Sequence, residues 1–193
     1  MKHIDIKKFA EKKTCIVLTT ILFIILSILY IAGYIDINKR FPKPKEELYE
    51  TGQYIEYKDG IKIKGLGVEY CSSEQFKEKY LPDDNSKFDH IVVKIMVFNE
   101  TDTVIDMAYL NQYFNLVIYP AGYENQGECI LDNNYIKPKE EREIYIGYNV
   151  SEAILASEKR EKVLKHDIMF CLKAYPVRQA IVFKGIEGYE EDK

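Results

Sequence analysis

Three cysteines, two histidines and a set of strand tyrosines are the residues of this chain whose types and spacing bear on chemistry. Cys71, Cys129 and Cys171 follow a long apolar run, and three thiols beyond a membrane allow three pairings with one left over. A bridge from Cys71 to Cys129 or Cys171 would staple a strand end. Unpaired, they behave as small buried apolar residues, which is the default reading. No CxxC is present, which argues against a thiol oxidoreductase. His90 and His166 adjoin Asp89 and Asp167, but neighbours along a strand point to opposite faces, and no GxSxG elbow supplies a nucleophile. Both pairs read as strand-end polar residues. Asp83-x-Asn85-x-Lys87 opens like a calcium loop, yet the mid-loop glycine is missing and Lys94 stands where a bidentate Glu is needed. Asn99-Glu100-Thr101 and Asn149-Val150-Ser151 fit the glycosylation triplet, which is common by chance. No catalytic residue, cofactor site or metal site is expected.

The tyrosines are the remaining candidates. The chain holds 16 Tyr and 9 Phe with no Trp, a composition that suits β structure and equally an AT-rich genome. Tyr113, Tyr119 and Tyr145, with Tyr123, alternate with core positions. They form either an adhesive face, since a tyrosine joins apolar area to a polar tip, or the cover of a second sheet.

The element that positions all of this is Thr14 to Ile35, an uncharged run between Lys13 and Asp36. As a helix it reaches roughly 33 Å, enough for a bilayer core, where backbone polar groups must be satisfied internally. Residues 1–13 form a basic tail and fit the cytoplasmic side, giving a single-pass signal anchor with the N-terminus in and the C-terminal domain outside. Lys39, Arg40, Lys43 and Lys45 on the other flank weaken that asymmetry. A cleaved signal peptide is the rival, disfavoured by the length of the run and by Ile31-Ala32-Gly33 as a poor cleavage site. Residues 1–35 carry five lysines against Asp5 and Glu11, so the net charge of −4 leaves −7 on the remainder. An acidic domain argues against nucleic acid as a partner. Residues 36–53 read as a juxtamembrane stalk stiffened by Pro42 and Pro44.

From Tyr54 the apolar period becomes two. Tyr54 to Lys58 and Ile61 to Lys64 flank Asp59-Gly60, a type I′ hairpin signal, and the phase shift across Gly65 predicts a bulge. Ser72 and Gln75 form a capping box for a helix from 72 to 81, closed by a loop from Pro82 to Ser86. Asp89 to Phe98 is apolar on one face and mostly so on the other, as a central strand requires. Further strands are expected at Tyr113 to Tyr119, Glu128 to Leu131, Ile144 to Val150, Asp167 to Tyr175 and Gln179 to Lys184, with a surface helix from Glu152 to Lys165. Seven or eight strands without alternating long helices give an immunoglobulin-like antiparallel β-sandwich over residues 54–186, followed by an acidic tail, 187–193.

The run Val93-x-Ile95-x-Val97-x-Asn99, the strand Phe114-Asn115-Leu116, the turn Ile136-Lys137-Pro138-Lys139-Glu140 and the strand Ile144 to Val150 resemble the telokin-like, immunoglobulin-like extracytoplasmic domains of unknown function in Gram-positive bacteria. The resemblance covers roughly Ile61 to Lys184 and departs from that pattern in lacking a lipidation cysteine and in inserting Glu152 to Lys165. It implies a displayed sandwich and carries over no site residue. The sequence therefore supports a membrane-anchored extracytoplasmic binding or protein-interaction module without catalysis. Its partners are the lipid bilayer through residues 14–35 and an envelope protein or ligand. The alternative is an immunity or accessory protein for a cell-envelope toxin or transporter that acts through its anchor; exchange of residues 14–35 for an unrelated apolar helix separates the two.

Overall fold

A computed structural model of the chain describes residues 6–83, 87–118, 123–130, 135–150 and 165–186. It divides into two compact units, residues 1–43 and 44–193. The first is a single helix, α1 (Ile6–Arg40). Within it Cys15–Arg40 has a mean hydropathy of 2.8 and none of it is buried. By length and composition this segment can cross a membrane; a signal sequence meets the same criteria. Thr19, Thr20 and Ser27 return their hydroxyl protons to carbonyls one turn back, the local bond open to Ser and Thr within a helix.

The second unit is a β-sandwich. One sheet holds β1 (Lys45–Glu50), β12 (Val177–Phe183), β11 (Ile168–Lys173), β6 (Asn115–Ile118) and β7 (Tyr123–Gln126) in that order. The other holds β2 (Tyr54–Lys58), β3 (Ile61–Cys71), β4 (Asp89–Asn99), β10 (Glu141–Val150) and β8 (Glu128–Ile130). A short pair, β5 (Ile105–Asp106) with β9 (Tyr135–Ile136), forms its own two-stranded sheet, with Ile105 and Ile136 packed into the common core. The chain changes sheets at Thr51-Gly52 between β1 and β2, and at Gly127 between β7 and β8.

The alternation places the core as expected. Ile91, Val93, Ile95 and Val97 of β4 are fully buried, as are Ile144, Ile146 and Tyr148 of β10, and they face Leu116, Ile118, Phe170 and Ile181 in one cluster. β4 lies at the centre of its sheet. The bulge falls between Gly65 and Gly67. Gly65 has no room for a Cβ, which would lie 2.7 Å from Ile181 Cγ2. The hairpin at Asp59-Gly60 forms, but Gly60 alone adopts positive φ (75°) and the register slips between Glu56 and Lys58. A one-residue bulge thus replaces the type I′ turn, which needs two left-handed residues.

The segment after the apolar run needs correction. Residues 36–53 are not a stalk: α1 continues through Arg40 and stops before Pro42, and β1 then joins the sandwich as an edge strand. It pairs in parallel with β12, whereas the other sheet pairs are antiparallel. Glu46 with Arg178 (3.3 Å) and Glu47 with Gln179 (3.0 Å) provide the side-chain links. The short helix α3 (Met107–Asn111) was not foreseen. The helix expected at Glu152 to Lys165 falls almost wholly outside the described residues, as does the acidic tail.

Candidate functional site

α3 is capped by Asp106, whose Oδ1 accepts from Ala108 N at 2.9 Å, and is pinned by buried Met107, Leu110 and Asn111. Burying that face turns Tyr109 outward, and the turn that follows exposes Tyr113; the two are 57% and 47% exposed. Their rings meet edge to face at 5.7 Å and 78°, and the Tyr113 hydroxyl donates to that of Tyr109 at 3.2 Å. The β2 hairpin brings Tyr57 and Lys58 to the same place. The Lys58 ammonium lies 4.9 Å from the Tyr113 ring centre, 5.2 Å from Tyr57 and 5.9 Å from Tyr109.

This ledge is fixed to the interior. The Tyr57 ring packs edge-on against Phe114 at 5.3 Å, and Phe114 against Phe170 at 5.3 Å, both buried in the core. Burial, then the neighbouring Tyr113 and Tyr109 hydroxyls, push Tyr57 up to about 12. The hydrogen bond to Tyr109 raises Tyr113 as well. The phenols of Tyr57 and Tyr113 thus stay protonated at neutral pH, and the ledge offers ring faces, hydroxyls and one cation.

The other expected positions lie elsewhere. Tyr145 stands on the outer side of the β4 sheet, beside Tyr80 at 5.3 Å, and donates to Glu143 at 2.6 Å; that bond, with burial, pushes it up to about 12. Tyr119 lies outside the described residues. Tyr113 and Tyr145 therefore do not share a face, because Tyr113 sits in a turn and not in the alternating strand expected for it. Cys71, Cys129 and Cys171 are free thiols in three different settings. Cys71 packs with Phe76 and Val92, Cys129 against the main core, and Cys171 with Val117 and Ala180. Burial is the leading cause that pushes them up to about 12, 12 and 11 respectively. His90 is buried and stacks on Phe76 at 3.7 Å, lining a cavity of about 340 Å³ with Gly147 and Asn149. His166 and Asp167 are exposed beside a separate cavity with Leu48 and Met169. Among the described residues no three His, Cys, Asp or Glu side chains group to hold a metal ion; of the calcium-like triplet, Asn85 lies outside them.

Asn99 of the first glycosylation triplet is fully buried. Its Nδ2 lies 2.7, 3.2 and 3.1 Å from the carbonyls of Thr103, Ile136 and Lys137, and its Oδ1 accepts from Thr101 N and Oγ1. It serves as the clasp between the β4 turn and the turn before β10.

A second polar centre was not foreseen. α2 (Ser73–Lys79), with both halves of the Ser72 and Gln75 capping box formed, lies over the outer side of the β4 sheet. Beneath it Glu69, only 8% exposed, accepts from Lys79 (2.8 Å), Lys94 (2.6 Å), the Tyr80 hydroxyl and the Cys71 thiol (3.3 Å). Burial opposes the charge, but these donors prevail and hold Glu69 down at about 2. The signal was an acidic residue at an outward position of β3 with lysines on β4 and on the next helix.

Compared with known protein families, the chain matches none. No curated protein matches it. Among solved structures it is similar to an uncharacterised β-sandwich protein from Clostridium difficile 630, at 11% identity and a TM-score of 0.50, over 74% of this chain and 97% of that one. That likeness shows the β-sandwich fold.

Proposed function

We propose that this chain is a membrane-anchored extracytoplasmic binding module without catalytic activity. In this reading α1 is an uncleaved signal anchor with its N-terminus in the cytoplasm, and the sandwich outside presents the Tyr57, Tyr109, Tyr113 and Lys58 ledge to an envelope protein or ligand. It also extends the sandwich likeness to the telokin-like displayed domains of Gram-positive bacteria. The observation that carries it is the ledge itself. Two large rings stand in solvent, yet a third ring is wedged against Phe114, so the contact surface is ordered before any partner arrives. Preorganised aromatic anchors are what binding surfaces use.

The test has two arms in intact cells. Single cysteines placed between Glu187 and Lys193 should react with a membrane-impermeant maleimide before lysis; reaction only after lysis would put the domain in the cytoplasm. A photo-crosslinking residue at Tyr113 should capture a repeatable partner, and Tyr109→Ala should abolish that capture. A mature N-terminus beyond Gly33 would remove the anchor.

A further inference from the structure

We propose that the ledge is an ammonium cage: Tyr57, Tyr109 and Tyr113 receive a quaternary ammonium group of a partner or ligand, and Lys58 occupies the cage while it is empty. The inference rests on reading the ledge as the binding surface and adds the chemistry of what it binds.

Three observations point to a cation. First, the cage already holds one, since three ring centres lie between 4.9 and 5.9 Å from one ammonium nitrogen. Those distances fall within the roughly 6 Å range over which the negative ring face attracts a cation. Second, the near-perpendicular setting of Tyr109 and Tyr113 gives two walls and not a flat stack, and Tyr57, fixed by Phe114, supplies another. Third, the contacts that the Lys58 ammonium makes among the described residues are with these three ring faces.

Charge favours the same ligand. With −7 on the residues beyond the apolar run, the domain draws cations toward it and repels anions. A methylated ammonium suits the cage better than a primary one, because it loses less hydration when it leaves water for ring faces. Lys58 is displaced by rotating its own flexible stem, so no backbone movement is needed.

The experiment uses the full chain in a maltoside detergent, free of choline head groups. Tetramethylammonium chloride is titrated against matched sodium chloride, and contact is read by saturation transfer from the protein to the ligand methyl protons. Saturable binding is expected. Lys58→Gln removes the internal competitor and should tighten binding about three- to sixfold, the factor by which a surface cation–π contact holds the cage closed. Tyr113→Phe keeps the ring and should retain binding, whereas Tyr109→Ala with Tyr113→Ala should abolish it. These are exposed positions, and an unchanged urea midpoint confirms that the variants fold.

Binding by Lys58→Gln no tighter than that of the parent, or binding that survives loss of both exposed rings, overturns the cage. Crosslinking from Tyr113 that persists without tetramethylammonium binding overturns the ammonium assignment alone. Loss of both overturns the ledge as a binding surface.

Discussion

Glu69 is the residue whose loss should be felt most widely, because it ties α2 to the sheet through one carboxylate. A seven-residue helix has no stability of its own. It is held by Phe76, which is 4% exposed, and by Lys79 and Tyr80 reaching Glu69. A carboxyl lowered from 4.5 to about 2 corresponds to roughly 3 kcal/mol of stabilisation at neutral pH. The lysines share this unequally: Lys79 is 53% exposed and Lys94 is 22% exposed. Since Lys79 recovers hydration when released, Glu69→Gln should cost about 2 kcal/mol, most of it from the ammonium of Lys94 left without its counter-charge.

The assay is urea unfolding of the full chain in detergent, with the wild-type minus variant difference followed against pH. Because the folded value is depressed, the contribution is complete above about pH 4.5 and fades as pH falls toward about 2. The difference should therefore shrink over that window and stay flat above it. Adding Lys94→Met to Glu69→Gln should recover part of the loss. Cys71, buried under α2 with its thiol pushed up to about 12, reports the same event. If α2 opening exposes it, a loss of 2 kcal/mol accelerates its labelling about 30-fold. A difference below about 0.5 kcal/mol with unchanged Cys71 labelling would refute this account of the hub.

Two further substitutions test the frame of the sandwich. Asn99→Ala should lower stability by about 3 kcal/mol in urea titration, because it strips partners from buried backbone groups at two turns at once; a loss under 1 kcal/mol would mean that water replaces the amide readily. Gly127→Ala should cost about 1–3 kcal/mol by the same measurement, since its Cβ would stand 2.6 Å from Ile146 Cγ2 and 2.8 Å from the Gly147 carbonyl. A neutral result there would show that the β7–β8 corner moves freely.

What could be read from the sequence was whatever repeats locally. β4 and β10 alternate so regularly that their buried faces followed from period two alone, and the Ser72 and Gln75 box is a pairing three residues long. β1 escaped because KEELYE lacks an apolar face; its place depends on β12, more than 120 residues away, and on Glu46 and Glu47 finding Arg178 and Gln179. α3 escaped because five residues are too few to show a helical period.

The ledge was hidden for the same reason in stronger form. Tyr113 was legible as an exposed aromatic, but its partners come from a hairpin some fifty residues earlier, and nothing in either segment specifies the other. The link between them is made inside the protein. Phe114, whose burial was legible, packs against Phe170 and meets Tyr57 edge to face, so the core position next to Tyr113 selects which residues join it at the surface. A phenylalanine that sequence reasoning assigns only to packing therefore sets the geometry of the exposed rings. Truncating Phe114 should loosen the Tyr57 wall of the cage as well as the core.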